Sequence, residues 1–298
     1  MDNLLISIEK ATEFIECNLS RKIALDEIAD ACYMSKYHLH RIMSAAARRP
    51  LMDYVRARKL ASSLDMLLHS DYPIMHIAQE HGFEYEQSYI RAFVSEYGVT
   101  PARFRKGRFA IKLTEKINIA GLKPIDNGII FETGFVLKSA FYLVGNRHYF
   151  SPEMNWNEQT ANKVGNDFFY HVRDQIPNAL YPDTYIGFTK WVEGDPNSNS
   201  YLPSVEVPSN TQVPAEMSCE WVKTHKYAVF QYIGDIHPKQ LTYQHLSSIW
   251  SYINDEWLPN SGYVIADPFF YESIDVSVAN DHYCEVNLYI PIAVISTK

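Results

Sequence analysis

The stretch PIMHIAQEHGFEYEQSYIRAFVSEYGVTPARFR, Pro73–Arg105, decides how this chain is read. Ile77 and Ala78 sit on a short helix, and Gly82 follows where a tight turn between two helices wants positive φ. A second helix carrying Arg91 and Phe93 ends at Gly98, placed for the left-handed conformation that terminates helices. Pro101 suits the first turn of a third helix, with Phe104 and Arg105 on it. Helix, tight turn, helix is the plan of a helix-turn-helix unit.

An approximate copy lies upstream in LDEIADACYMSKYHLHRIM, Leu25–Met43. There Ile28-Ala29, a turn, and a helix with Arg41, Ile42 and Met43 anticipate Ile77-Ala78, a turn, and Arg91, Ala92 and Phe93, so the two arginines stand 50 positions apart. Leu51–His69 between the copies has no breaker and an apolar stripe of Tyr54, Val55, Leu60, Leu64, Leu67 and Leu68. One helix of about 28 Å is expected there, at about 1.5 Å per residue. B-DNA presents its major groove on one face again after about 34 Å, so two recognition helices on such a rod can enter successive groove segments from one protomer.

Ser35 is the expected N-cap of the first recognition helix, about Lys36–Ala46. Leu39, Ile42 and Met43 take its core face, which leaves Lys36, Tyr37, His40 and Arg41 toward solvent or a groove. Arginine suits guanine O6 and N7, histidine donates or accepts, and a tyrosine edge suits thymine methyls. On the second helix Glu86, Gln87 and Arg91 project comparably, Gln87 suiting adenine, while Glu86, a carboxylate beside phosphates, either favours cytosine N4 or avoids contact. The competing reading of each exposed arginine is a phosphate contact or a solvated charge. Where the first copy would match Gly98 it has Arg48, then Arg49 and Pro50. The first recognition helix is therefore expected to end differently or run longer, with Arg48 and Arg49 clamping phosphate.

The chain has 298 residues, 47% hydrophobic and 21% charged, with a formal net charge of −8. That composition fits two folded domains and excludes extended disorder. The charge is uneven: residues 1–108 hold 15 basic and 14 acidic side chains, leaving 12 and 21 for residues 109–298. Only the first part tolerates phosphate. Within 41–59, Arg41, Arg48, Arg49, Arg56, Arg58 and Lys59 face only Asp53, as a DNA-facing surface or simply a solvated helix face. No apolar run reaches bilayer length, and MDNLLISIEKATEF has early acidic residues and no small-residue cleavage site, so a cytoplasmic location without membrane attachment is expected. Cys17, Cys32, Cys219 and Cys284 are scattered, and His69, His76 and His81 lack ligand spacing. No disulfide framework, metal site or cofactor is expected, and no Ser/His/Asp arrangement or phosphate loop is evident.

From about Phe135 the texture becomes alternating and aromatic-rich. Strand-like segments are Phe135–Tyr149, Tyr185–Val192, Trp221–Tyr232, Phe269–Val276 and Glu285–Ile292, with helical stretches Asn155–Ile176 and Lys239–Trp257. A strand-helix-strand order thus occurs twice. Two copies build one pseudo-symmetric sheet with helices on one side, leaving a groove on the other side or at the central seam. Ala110–Thr133, with Gly121, Pro124 and Gly128, reads as a linker and lead-in strand, and Gly194–Pro214 as loops around a short strand. In FFYESIDV, Glu272 alternates onto the face of Phe270, Ile274 and Val276, a carboxylate on a face that otherwise wants burial. Desolvation raises the pKa of such a group and a bound cation restores its charge, while surface placement or a structural hydrogen bond is the plainer alternative.

Residues 5–106 resemble the DNA-binding domain of the AraC/XylS family. The resemblance rests on the two stretches quoted, the second across Ile77-Ala78, Gly82-Phe83, Arg91, Phe93, Gly98, Pro101, Phe104 and Arg105. It implies that Lys36, Tyr37, His40, Arg41, Glu86, Gln87 and Arg91 occupy base-contacting positions, the second arginine sometimes silent toward bases. YAVFQYIGD, LTYQHLSSIWSYINDEWLPNSGY, ADPFFYESIDV and VNLYIPI, across most of 135–293, resemble the GyrI-like effector-binding domain. Both domains in this order resemble the Rob-type branch of AraC/XylS proteins. The second resemblance implies that Glu272 meets cationic, multidrug-like ligands. Aromatic walls come from Tyr142, Trp156, Tyr185, Trp191 and Trp221, with Phe169, Tyr232, Trp250, Tyr271 and Tyr289 as further candidates. Ile274 stands where that family's motif often carries tyrosine.

The expected protein is multi-domain. An all-α double helix-turn-helix domain of about seven helices occupies 1–108, a linker and lead-in strand 109–134, and an α+β GyrI-like domain with duplicated strand-helix-strand modules 135–298. The expected function is a sequence-specific transcription regulator, not an enzyme, whose second domain senses a small aromatic or cationic molecule. Its expected partners are promoter DNA, that effector and RNA polymerase. The alternatives are a small-molecule hydrolase, since some GyrI-like domains hydrolyse reactive molecules with a glutamate and a tyrosine, and a protein-interaction module.

Overall fold

The computed structural model describes residues 3–107, 111–119, 122–125, 128–192, 194, 195 and 197–295. They fall into two compact units, Met1–Leu122 and Lys123–Lys298.

The first unit has seven helices among its described residues: α1 Asn3–Cys17, α2 Leu25–Cys32, α3 Lys36–Ala47, α4 Leu51–His69, α5 Ile74–Glu80, α6 Glu86–Tyr97 and α7 Pro101–Lys106. This is the expected all-α double helix-turn-helix architecture. Ser35 caps α3, its hydroxyl accepting from the His38 N–H at 3.3 Å, and Leu39, Ile42 and Met43 are fully buried. Gly82 and Gly98 both hold positive φ, 70° and 72°. A Cβ at Gly82 would overlap the backbone of Arg21, so the turn also needs glycine for close approach. Leu60, Leu64 and Leu67 of α4 pack with Ile77, Tyr89, Phe93 and Phe104 in one core.

α3 does not run on for want of a glycine. Arg48 adopts the left-handed conformation itself, φ 53°, and the Arg48 and Arg49 N–H groups close the end on Ala45 and Ser44 carbonyls at 3.3 and 3.2 Å. Both recognition helices therefore end alike, the first against the roughly 1–2 kcal/mol that a side chain costs in this region.

In the second unit the strands are β1 Lys123–Ile125, β2 Gly128–Lys138, β3 Phe141–Gly145, β4 His148–Phe150, β5 Thr184–Trp191, β6 Asn199–Val207, β7 Ser218–Val222, β8 His225–Gly234, β9 Tyr263–Ile265, β10 Phe269–Asp275 and β11 Cys284–Val294. The main path runs β1-β2-β8-β11-β10-β5-β6-β3-β7, with β4 on β6 and β9 on β11, and every described pairing is antiparallel. The duplication is visible in this order: β8-β11-β10 and β5-β6-β3 mirror each other across the β10/β5 pair, as the repeated modules require. Two-residue links join β2 to β3 and β7 to β8, and three residue steps reach at most about 10 Å. Strands from opposite edges must therefore approach. The sheet curls accordingly, and the Ala140 N–H donates to Thr224 Oγ1 at 3.0 Å.

Inside the curl lie Phe141, Leu143, Phe188, Leu202, Tyr227 and Tyr271. The helices cover the other face, over Val205, Phe230, Ile274 and Leu288. They are α8 Pro152–Glu158, α9 Thr160–Asp167, α10 Tyr243–Ser251 and α11 Leu258–Ser261. The stretch expected as one helix over Asn155–Ile176 is broken. Gln159 turns left-handed, φ 55°, between α8 and α9, and α9 continues as a π-helical turn, Phe168–Val172, and a 3₁₀ turn. α10 likewise passes into a π-helical segment, Tyr252–Trp257.

Two further expectations are corrected. Gly194–Pro214 is not loops around a short strand: β6 occupies its middle as a central strand buried on both faces, so no alternation betrays it. Its proline, Pro203, sits where β6 changes partner from β3 to β4. In the stretch read as a linker, Gly121 lies outside the described residues. Thr114 and Ile117 bond to the first unit's α4: Arg58 donates to the Thr114 carbonyl at 2.6 Å, and the Ile117 N–H to the Tyr54 hydroxyl at 3.1 Å.

Candidate functional site

On α3, Lys36, Tyr37 and His40 are exposed and Arg41 is half-buried. Arg41 donates to the Tyr37 hydroxyl at 3.0 Å and lies over its ring, so the two present one edge. Lys36 pairs with Asp26 at 2.9 Å. On α6, Gln87 and Arg91 are exposed one turn apart, with Arg91 Nε donating to the Gln87 carbonyl at 3.3 Å, while Glu86 is half-buried in the first turn. Val94, 39% exposed, continues this face. Sequence reasoning passed over it because apolar residues were assigned to the core, yet its i+7 spacing from Gln87 marks the face.

The basic run 41–59 is largely committed inside the fold. Arg58 makes a bidentate pair with Glu16, both bonds 2.8 Å. Arg49, expected beside Arg48 as a phosphate clamp, is held by both oxygens of Glu96 at 3.0 and 3.1 Å. Arg56 pairs with Asp53 at 2.8 Å. Lys59 is buried and donates to the Arg21 and Gly82 carbonyls; burial brings its pKa down to about 8. Arg48 is exposed.

In the second unit a cavity of about 340 Å³ opens on the helix side of the sheet, over the seam where β5 meets β10. Phe270, Glu272 and Ile274 of β10 line it with Val276, as alternation predicts. Tyr185, Thr189 and Trp191 come from β5, Tyr201 from β6, Phe169 and Tyr170 from the turn after α9, and Tyr243 and Trp250 from α10. No lysine, arginine or histidine lines it, and Glu272 is its one carboxylate among the described residues. Tyr201 donates to Glu272 Oε1 at 3.2 Å, and the Tyr185 and Tyr201 hydroxyls bond to each other. Burial pushes the Glu272 carboxyl up to about 8 against the lowering effect of the Tyr201 bond, and it raises both tyrosines.

Of the aromatics singled out from sequence, Tyr185 and Trp191 stand on this wall with Phe169 and Trp250. The other three lie elsewhere. Trp156, 46% exposed, packs edge-on behind Tyr243. Tyr142 and Trp221 pair across β3 and β7, far along the sheet path from the seam, Trp221 largely exposed. Tyr232 is core, and Tyr271 and Tyr289 stack 4.5 Å apart on the opposite face. Tyr201 was missed because its segment was read as loops around a short strand, with no residue of it assigned to a buried face.

Known proteins match unit by unit. Residues 28–107 fit a family model described as a helix-turn-helix domain, and residues 136–292 one described as integron-associated effector binding protein. The multiple antibiotic resistance protein MarA of Escherichia coli is 31% identical over 100 residues, 34% of this chain and 79% of that protein. The right origin-binding protein of Escherichia coli is 32% identical over 93 residues, 31% of this chain and 32% of that protein. Among solved structures, an integron cassette protein from the mobile metagenome of Vibrio cholerae is 14% identical, over 55% of this chain and 99% of its own, with a TM-score of 0.39. The chain is thus an AraC-type DNA-binding regulator whose second half belongs to the integron-associated effector-binding protein family.

Proposed function

We propose that the first unit reads promoter DNA through two recognition helices. Tyr37, His40 and Arg41 on α3 and Gln87, Arg91 and Val94 on α6 face base edges. Lys36 and Arg48 face phosphate, and Glu86 tunes preference toward cytosine. The second unit is a sensor and not a catalyst: its cavity takes a small aromatic, singly cationic molecule. RNA polymerase is the protein partner this role requires, and the cytoplasm its place. No described helix is long and apolar enough to cross a membrane.

One observation carries the sensing half. A buried carboxylate stands without a basic partner in an aromatic cavity of about 340 Å³, within the range of small-molecule sites. An entering cation supplies the missing charge partner, and Trp191 and Trp250 supply faces for a flat ring. Regulation follows if the occupied cavity favours one state of the chain over another.

Benzyltrimethylammonium and its neutral isostere neopentylbenzene test this reading. Quenching of tryptophan fluorescence by the cation alone, lost in Glu272→Gln, supports it. Equal responses to both compounds refute a charge-reading cavity. For the first unit, genomic fragments selected at physiological salt should reveal one sharp motif about two helical turns long.

A further inference from the structure

The two helix-turn-helix copies are tied together at two points away from their DNA-facing side chains. At one, Glu96 of α6 accepts Arg49 on both oxygens, and Arg49 directly follows the left-handed end of α3. The carboxylate is mostly shielded, its side chain 21% exposed. Its Oε1 also accepts the Thr114 hydroxyl at 2.9 Å, and Thr114 is itself held by Arg58. At the other point, Lys59 of α4 reaches the carbonyls of Arg21 in the first copy and Gly82 in the turn of the second. Gly82 permits this approach because it has no Cβ to meet the Arg21 backbone.

α3 and α6 each pack on α4. Bending a rod of about 28 Å by a few degrees displaces one end by about 2 Å, so packing on the rod alone leaves the distance between recognition helices soft. The links across the copies remove that freedom. Their chemistry is costly for mere stability: Lys59 is a buried ammonium satisfied by carbonyls, and Arg49 is withdrawn from phosphate, where a free arginine would add affinity. Both serve geometry.

We propose that Glu96 and Lys59 are positioning residues that lock the two recognition helices at one separation, so that the protein reads the spacing between half-sites as well as their bases. The proposal rests on the DNA-reading function above. It predicts selection against DNA in which one base pair is added or removed between half-sites, since that moves one half-site by about 3.4 Å and turns it about the axis.

The test uses full-length protein and the site that wild type selects, with versions one base pair longer and shorter, read by fluorescence anisotropy. Wild type should lose at least about tenfold on either altered site, the loss of one helix's base contacts. Glu96→Gln should lose less than about threefold on the same change, and the Arg49→Glu, Glu96→Arg exchange should restore much of the wild-type ratio. Lys59→Met, close in volume, provides an independent variant should Glu96→Gln melt below the assay temperature. A variant that binds every site more weakly but keeps the wild-type ratio overturns the proposal, as does a wild type indifferent to spacing. If wild type selects no site, the DNA-reading function fails first and the clamp with it.

Discussion

Gly187 and Glu272 face each other in register across the strand pair that joins the two modules, and the space of the missing glycine Cβ is where the carboxylate sits. A methyl at Gly187 would overlap Oε1 and Cδ of Glu272 and press on the Tyr201 hydroxyl. Gly165 on α9 does the same for Tyr185, whose hydroxyl lies where a side chain at 165 would be. The seam thus makes room for one acid and two phenols by omitting side chains from β5 and α9.

Gly187→Ala should therefore displace the carboxylate while leaving the sheet paired. Overpacking of this kind costs about 1–3 kcal/mol, and the melting temperature should fall by several degrees. Affinity for an aromatic monocation should fall at least about tenfold, since both groups compete for the same oxygens. Calorimetric titration beside a thermal melt checks both, and unchanged affinity would show that the ligand does not engage Glu272.

The carboxyl also sets a pH dependence. Its folded pKa of about 8 lies above the ordinary 4.5, so between these values the folded chain holds a proton that the unfolded chain releases. The Glu272 contribution to stability of the empty protein should then fall as pH rises from about 5 to about 8, by a few kcal/mol, and this contribution should be absent from Glu272→Gln. His148 and His225, held below the usual imidazole value chiefly by burial, titrate in the opposite sense in both proteins. The difference between the two denaturation series therefore isolates Glu272, and parallel curves would refute its neutrality.

How much of this was legible beforehand follows from which signals are local. Gly82, Gly98, Pro101 and Ser35 act through their own backbone, and each sits in the structure where its chemistry placed it. Glu272 was legible because alternation along one strand is local too. Tyr201 was not: its strand is buried on both faces and carries Pro203, so neither period nor composition marks it. The basic run 41–59 misled for a different reason. Charge composition does not record partners, and Glu16 and Glu96, which take Arg58 and Arg49, lie more than 40 residues away in sequence.

Arg41 and Arg58 should accordingly separate under mutation. Arg41→Ala removes a half-buried guanidinium whose partner is the exposed Tyr37, so specific DNA binding should weaken by roughly 1–3 kcal/mol with only a small change in melting temperature. Arg58→Ala strips Glu16 of a bidentate partner and the Thr114 carbonyl of a donor. A stability loss of about 2 kcal/mol is expected, with base preference unchanged in the folded fraction. Selection of binding sites with each variant, alongside urea denaturation, distinguishes them; altered base preference in Arg58→Ala would return that residue to the DNA surface.

Arg48→Gly offers the sharpest contrast between stability and function. At φ 53° the arginine occupies a conformation that glycine adopts freely. Glycine removes the left-handed strain but adds freedom to the unfolded chain, and the two effects leave a net gain of about 0.5–1 kcal/mol. Retaining arginine against that gain makes sense if its exposed guanidinium neutralises a phosphate. The variant should then be more stable in urea yet bind DNA more weakly on every sequence, and the slope of log affinity against log salt should shrink by about one. A more stable protein with an unchanged salt slope would leave Arg48 without a phosphate to hold.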